Sequence, residues 1–160
     1  MMRFWGVLLL IGLTACTSTQ EPATYDRSPL PDRVCEGEVL QTSDSEVMAQ
    51  LDAMPEPVGG MTAIQEQVRY PDTAHALGLQ TRIIVVFTVG PDGQPCDVDV
   101  AQTVDEEELE GLDEEVREAF YDLQHHAKQA IWRTDFTPGT IDGDPVAVQT
   151  TWPITFRIGS

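Results

Sequence analysis

The stretch of sequence that decides the fold is RIIVVFTVGPDGQPCDVDVAQTV, residues 82–104. Its first eight residues are mostly β-branched or aromatic on both alternating faces, which is typical of a central strand covered on both sides. Residues 90–93, Gly-Pro-Asp-Gly, supply the chemistry of a tight turn. In residues 97–104 Val98, Val100 and Val104 then fall on one face and Asp97 and Asp99 on the other, the pattern of a half-exposed strand. The stretch therefore predicts a β-hairpin.

The residues before the hairpin predict two short helices. Residues 61–68 place apolar side chains along one helical face, and the Tyr70-Pro71 pair ends that helix because a residue before proline avoids helical geometry. Pro71 then suits the first turn of a second helix over 72–77, and Gly78 is a typical residue just past a helix end.

The residues after the hairpin predict one long helix. An acidic run at 105–108 suits a helix start, where the macrodipole favours negative charge. Apolar residues then recur every three or four positions up to Trp132: Leu109, Leu112, Val116, Phe120, Leu123, Ala127 and Ile131. Residues 136–139 make the turn back.

The last strand is predicted over 146–158, where apolar and polar residues alternate. Pro153 falls on the polar side and cannot donate a ladder hydrogen bond, so this strand is expected at a sheet edge or with a bulge. The predicted fold is α+β in two layers: a three-stranded antiparallel sheet packed by a long helix, with two short helices before the first strand. The first hairpin strand is expected in the middle.

The N-terminus has the features of a lipoprotein export signal. Arg3 precedes a short apolar stretch, and Leu13-Thr14-Ala15-Cys16 resembles the lipobox of bacterial lipoproteins. Residues 1–15 are therefore predicted to be a signal peptide and Cys16 the site of lipid attachment. The alternative is an ordinary secreted protein in which Cys16 is a free thiol.

Residues 16–54 are predicted to be an acidic, largely disordered tether, and 55–160 the folded domain. Residues 46–51 could form a short helix or continue the tether. If Cys16 carries lipid, Cys35 and Cys96 remain as a candidate disulfide in an oxidising compartment; sequence leaves open whether the two thiols meet.

The charge and motif content exclude several functions. A formal net charge of −18 argues against nucleic-acid binding and against attraction to anionic lipid. Dense acid suits either a high-salt habitat or simple solubility, and both explanations stay open. No nucleophile motif, phosphate loop or zinc signature is present, and the adjacent His125 and His126 make a poor chelating pair. We expect no enzyme activity, no metal and no cofactor.

The chain resembles the C-terminal domain of the TonB family from about residue 55 to residue 158. The ordered landmarks are Gly59-Gly60, Tyr70-Pro71 with Ala74, Ala76 and Gly78, the Asp92-Gly93 turn, Trp132, Pro138-Gly139, Gly143-Asp144-Pro145-Val146 and Pro153-Ile154-Thr155-Phe156. The resemblance implies a non-enzymatic periplasmic domain that binds an N-terminal peptide of outer-membrane transporters, which adds as a strand beside the last strand.

The same resemblance implies the peptide-contacting residues. On the helical side these are Gln67, Tyr70 and Pro71, and on the last strand they are Val146, Val148, Thr150 and Trp152. For all of them, a purely structural role is the competing interpretation.

The chain also departs from the family pattern. It has a lipobox and a short acidic tether where a transducer has a membrane-spanning helix and a long proline-rich spacer. We therefore expect a lipid-anchored periplasmic module, with the outer membrane favoured because Thr17, not aspartate, follows the cysteine. The alternatives are a homodimer or envelope scaffold pairing through the edge strand, and a true transducer whose N-terminus is not cleaved.

Overall fold

The computed structural model describes residues 29–31, 33–35, 37–101 and 106–158, with no side-chain description at 106 and 107. The predicted signal peptide and Cys16 lie outside these residues. Of the helices within the described ranges, none combines the length and apolar character needed to cross a bilayer.

Helices and strands follow one another in the order β1 Val39–Gln41, α1 Ser45–Gln50, β2 Glu56–Pro57, α2 Met61–Gln67, α3 Asp72–Ala76, β3 Thr81–Val89, β4 Pro95–Val100, α4 Glu106–Glu110, α5 Glu114–Trp132, β5 Phe136–Thr137, β6 Gly139–Ile141 and β7 Asp144–Phe156. The main sheet has the order β1-β7-β3-β4, with β6 also paired to β7. β2 and β5 form a separate antiparallel pair.

The predicted hairpin lies at the centre of the sheet. β3 pairs antiparallel with β4 on one side and with β7 on the other, so its place in the middle is confirmed. Gly93 adopts φ +78°, and an added Cβ there would overlap the carbonyl oxygen of Phe136. Phe136 in turn donates its N–H to the carbonyl of Gly93 at 2.9 Å. The turn therefore requires glycine for both backbone angle and space.

The sheet is larger than predicted. The α+β class with a long helix on the sheet is confirmed, but three strands is wrong, because β1 pairs parallel with β7 at 147–149 and β6 pairs antiparallel with it at 144–146. A 13-residue β7 is longer than the nine-residue β3. Its first half would carry unpaired backbone groups without these two strands, and unpaired sheet edges invite association.

The predicted long helix is interrupted. Residues 111–113 separate α4 from α5, so the expectation of one continuous helix is wrong. Gly111 has low helix propensity, and Asp113 occupies the N-cap position of α5, where aspartate is preferred. The face of α5 that packs on the sheet consists mainly of small or apolar buried residues: Ala119, Leu123, Ala127, Ala130 and Ile131. They meet the buried β3 side chains Ile83, Val85 and Phe87 in a single core cluster.

The folded part of the chain begins well before residue 55. The structure bonds Cys35 to Cys96, with their Cα atoms 5.6 Å apart, and places β1 in the main sheet. The Arg33 guanidinium lies 4.2 Å from the Trp132 ring centroid and donates to the Pro95 carbonyl. The disulfide and the pairing of β1 hold residues 33–35 and 37–54 against the domain, ahead of the boundary predicted at residue 54.

Candidate functional site

In the second half of β7, the backbone N–H and carbonyl groups of alternate residues point away from β3. Thr42 donates its N–H to the Gln149 carbonyl at 3.2 Å, so Gln149 directs its backbone away from β3. Backbone direction alternates along a strand, which places Thr151, Pro153 and Thr155 on the same outward side. Within the described part of the chain, no strand pairs with residues 150–156 on that side. We call residues 150–156 the open edge.

Pro153 fits this arrangement without cost to the sheet. Its partner in β3 is Ile84, and the Ile84 carbonyl accepts from the N–H of Ala101 on the β4 side, at 2.9 Å. Ile84 and Pro153 are thus a pair that exchanges no hydrogen bonds, so the missing proline N–H removes none from the β3–β7 ladder. The sequence prediction that Pro153 marks a sheet edge is confirmed for this half of the strand.

A groove of about 530 Å³ runs along the open edge, between β7 and α2. Its lining combines apolar and polar side chains: Met61, Ile64, Gln65, Val68, Arg82, Trp152, Pro153, Ile154, Thr155 and Arg157. Ile64 is buried and anchors α2 to the core, whereas Met61 is 64 % exposed. A large apolar side chain is therefore left in water beside unpaired strand backbone.

The opposite edge of the sheet, at β4, is far less suited to pairing. A bulge lies in β4 opposite β3, and Asp97 there adopts φ +50°. Asp99 is exposed and pairs with Lys128 at 3.6 Å. Bulges and charged side chains are the usual means by which proteins protect an edge from association. The open edge on β7 has neither, and its single proline, Pro153, removes one backbone donor.

Of the helical-side residues of the predicted site, the structure places Tyr70 at one end of the open edge, and none of the three lines the groove. Gln67 is half-buried at the end of α2, and Pro71 is buried before α3. Tyr70 donates its hydroxyl to the Leu79 carbonyl, and its ring lies 5.6 Å from that of Phe156. Tyr70 thus supports the last residue of β7 from within, which is the structural role that the sequence left open.

The strand residues of the predicted site divide into two pairs. The edge beside Val146 and Val148 is occupied by β6 and β1, so the expectation that it is free is wrong. Thr150 and Trp152 fall on the open edge, where both are half-buried and Trp152 lines the groove.

Of the ten described residues that line the groove, the predicted site contains Trp152 alone, and the missed residues include Met61, Arg82, Thr155 and Arg157. The alternation around Pro153 signals Thr155 and Arg157 on the exposed face. The position of Met61 depends on how α2 packs, and no sequence signal indicates it.

Two other clusters of reactive groups do not belong to this site. Cys35, Cys96 and Asp97 lie close enough to suggest metal ligands, but the two sulfurs are already bonded to each other. His126 is buried in α5, where burial, and then the neighbouring His125, lower its pKa to about 4. It does not line the groove and acts as an internal neutral residue.

These features define a class of protein domain: a two-layer α+β domain with one strand edge open beside an apolar groove. That geometry is the one used for adding an extended peptide to a sheet. The family model for the Gram-negative bacterial TonB protein C-terminal matches residues 66–121. Residues 66–121 therefore match the TonB C-terminal family, in agreement with the resemblance in the sequence. The matched residues end within α5, before β7.

Comparison with other proteins adds little beyond this. The chain is similar to the solution NMR structure of the Pseudomonas aeruginosa TonB CTD, at 24 % identity over 75 % of this chain and 94 % of that chain, with a TM-score of 0.42. No curated protein sequence matches the chain.

Proposed function

We propose that this protein is a lipid-anchored periplasmic binding module that captures an extended segment of an envelope protein by strand addition to the open edge. A peptide of a TonB-dependent outer-membrane transporter is the partner that the family suggests, and such domains are interaction modules, not enzymes. The observation that carries the proposal is the outward row of backbone groups at 151–155 beside the exposed apolar groove.

The open edge offers a guest strand a defined set of hydrogen bonds. Thr151 and Thr155 each present an N–H and a carbonyl, and Pro153 presents a carbonyl only. A guest therefore meets two donors and three acceptors. Each bond contributes about 0.5–1.5 kcal/mol net, and apolar guest side chains gain more by covering Met61 and Trp152.

Membrane attachment is proposed from the lipobox. Cys16 would carry the lipid, with the outer membrane favoured by Thr17. Mass spectrometry of protein purified from membranes tests this directly. A mature chain beginning at lipidated Cys16 supports the anchor, whereas an intact Met1 would favour the transducer alternative.

Strand addition is tested by titrating transporter N-terminal peptides while following the backbone amides of β7 by NMR. Thr151→Pro removes one of the two outward donors and should weaken binding by about 2- to 12-fold, the value of one net hydrogen bond. Thr151→Ala is the matched control, because it removes only the side chain and should bind nearly as well as the natural protein. If no peptide of a broad panel changes the NMR signals of the backbone amides in residues 150–156, the proposal is contradicted.

Self-pairing through the same edge is the competing function. Sedimentation at rising protein concentration separates the two, since a homodimer forms without peptide. A dimer that Thr151→Pro dissociates would replace peptide capture with self-association.

A further inference from the structure

The groove beside the open edge has a charge opposite to that of the chain. The protein has 27 acidic residues and nine lysines and arginines. Arg82 and Arg157 nevertheless line this groove, and no aspartate or glutamate is found among the described residues that line it. Both arginines are exposed, and neither has a carboxylate partner within the described residues.

The sheet register places the two arginines together. Arg82 is directly opposite Thr155, and Arg157 follows two residues later in the chain. Cross-strand partners share a sheet face, and residues two apart on a strand share it as well. Arg157 directly follows the end of β7, so continued alternation puts it on the same exposed face as Arg82, and both arginines line the groove at that end of the open edge.

A guest strand would thus meet two different surfaces. Side chains of an added strand alternate between the two faces of the sheet. One set would contact Met61 and Trp152 on the core side, and the other set would pass the two arginines. Resting on the proposed function, we propose that the guest is an acidic extended segment, with carboxylates alternating with apolar residues and directed at Arg82 and Arg157.

Screening by salt weakens the repulsion from distant acidic residues, so the two arginines dominate the electrostatic potential in the groove. At 0.15 M salt the Debye length is about 8 Å, so most of the acidic surface has little effect at the groove. An exposed ion pair is worth about 0.2–1 kcal/mol, a factor of about 1.4 to 5 in affinity. Two pairs give an expected preference of about 2- to 30-fold for an acidic guest.

The experiment uses the full chain and two ten-residue peptides, one alternating valine with aspartate and the other alternating valine with asparagine. Affinities are measured by calorimetry in 150 mM and 500 mM salt. The natural protein should prefer the aspartate peptide by at least 2-fold in 150 mM salt, and the preference should shrink in 500 mM salt. The double variant Arg82→Gln/Arg157→Gln should bind both peptides alike.

A charge-matched control is Arg117→Gln/Arg133→Gln, which changes net charge equally but alters α5. It should keep the full preference, because neither residue lines the groove. Equal affinity of the natural protein for the two peptides would overturn the acidic-guest inference and leave strand addition standing. The same holds if both double variants lose the preference for the aspartate peptide to the same extent. Absence of binding by both peptides, with no change at the 150–156 amides, would overturn the inference together with the proposed function.

Discussion

Removal of the Cys35–Cys96 disulfide should cost much of the stability of the domain. The two cysteines are 61 residues apart in sequence. In the chain-entropy treatment, a cross-link closing a loop of that size removes about 14 cal/mol/K from the unfolded chain, or roughly 4 kcal/mol at 25 °C. Domains of this size are stable by only about 5–15 kcal/mol in total.

The assay is urea unfolding of Cys35→Ser/Cys96→Ser. Its reference is the disulfide-bonded protein, and both carry Cys16→Ser so that no third thiol exchanges with the pair. With an m-value of about 1–3 kcal/mol/M, the midpoint should fall by roughly 1.5–4 M. A loss below about 1 kcal/mol would refute the loop-entropy reasoning.

Hydrogen exchange adds a local test of the same perturbation. The segment containing β1 is held at one end by the disulfide and at the other by the bridge between Ala53 and Thr140. No side chain of β1 is buried, so the freed strand should open locally at little cost. The Thr42 amide, bonded to Gln149 at 3.2 Å, should then exchange faster while the β3 amides stay protected. Unchanged protection at Thr42 would show that other contacts hold β1 in place.

Three further predictions concern the Gly93 turn, the buried His126 and the outward side of β7. Gly93→Ala should lower the free energy of unfolding by more than about 2 kcal/mol, because the positive φ and the overlap with Phe136 act together. Gly143→Ala has a φ of +82° but open space around it, so it should lower the free energy of unfolding by only about 1–2 kcal/mol. Thermal unfolding measures both. His126 has a pKa of about 4 in the folded protein against 6.5 in the unfolded chain. Its contribution to the free energy of unfolding is therefore fully present above pH 6.5 and is lost, by up to roughly 3 kcal/mol, as the pH falls towards 4. Substitution of His126 by Gln should flatten that part of the pH–stability curve; an unaltered slope would contradict its role. Thr150→Pro should cost about 3 kcal/mol or more by removing a β3-facing N–H, while Thr151→Pro should cost under about 1 kcal/mol, and equal losses would disprove the outward assignment of residue 151.

Helices and strands with a strong periodic pattern of apolar residues can be predicted from the sequence alone. The alternation over β7 and the three-to-four-residue spacing in α5 each arise from one element burying one face, and the continuous apolar run of β3 arises from a central strand, so all three are visible in a single segment. Pro153 likewise indicated a strand edge, because a missing N–H restricts where a residue can lie in a sheet whatever its neighbours are.

Tertiary structure alone decided which part of that edge stays open. β1 and β6 are three residues each, too short to show any periodicity, and their place is set by unpaired β7 backbone far away in the chain. The Thr42–Gln149 hydrogen bond joins residues more than a hundred positions apart, and the groove exists only because α2 packs beside Trp152. Such pairings form between distant segments, so no local pattern could reveal that residues 144–149 are covered while residues 150–156 have no outer strand partner within the described part of the chain.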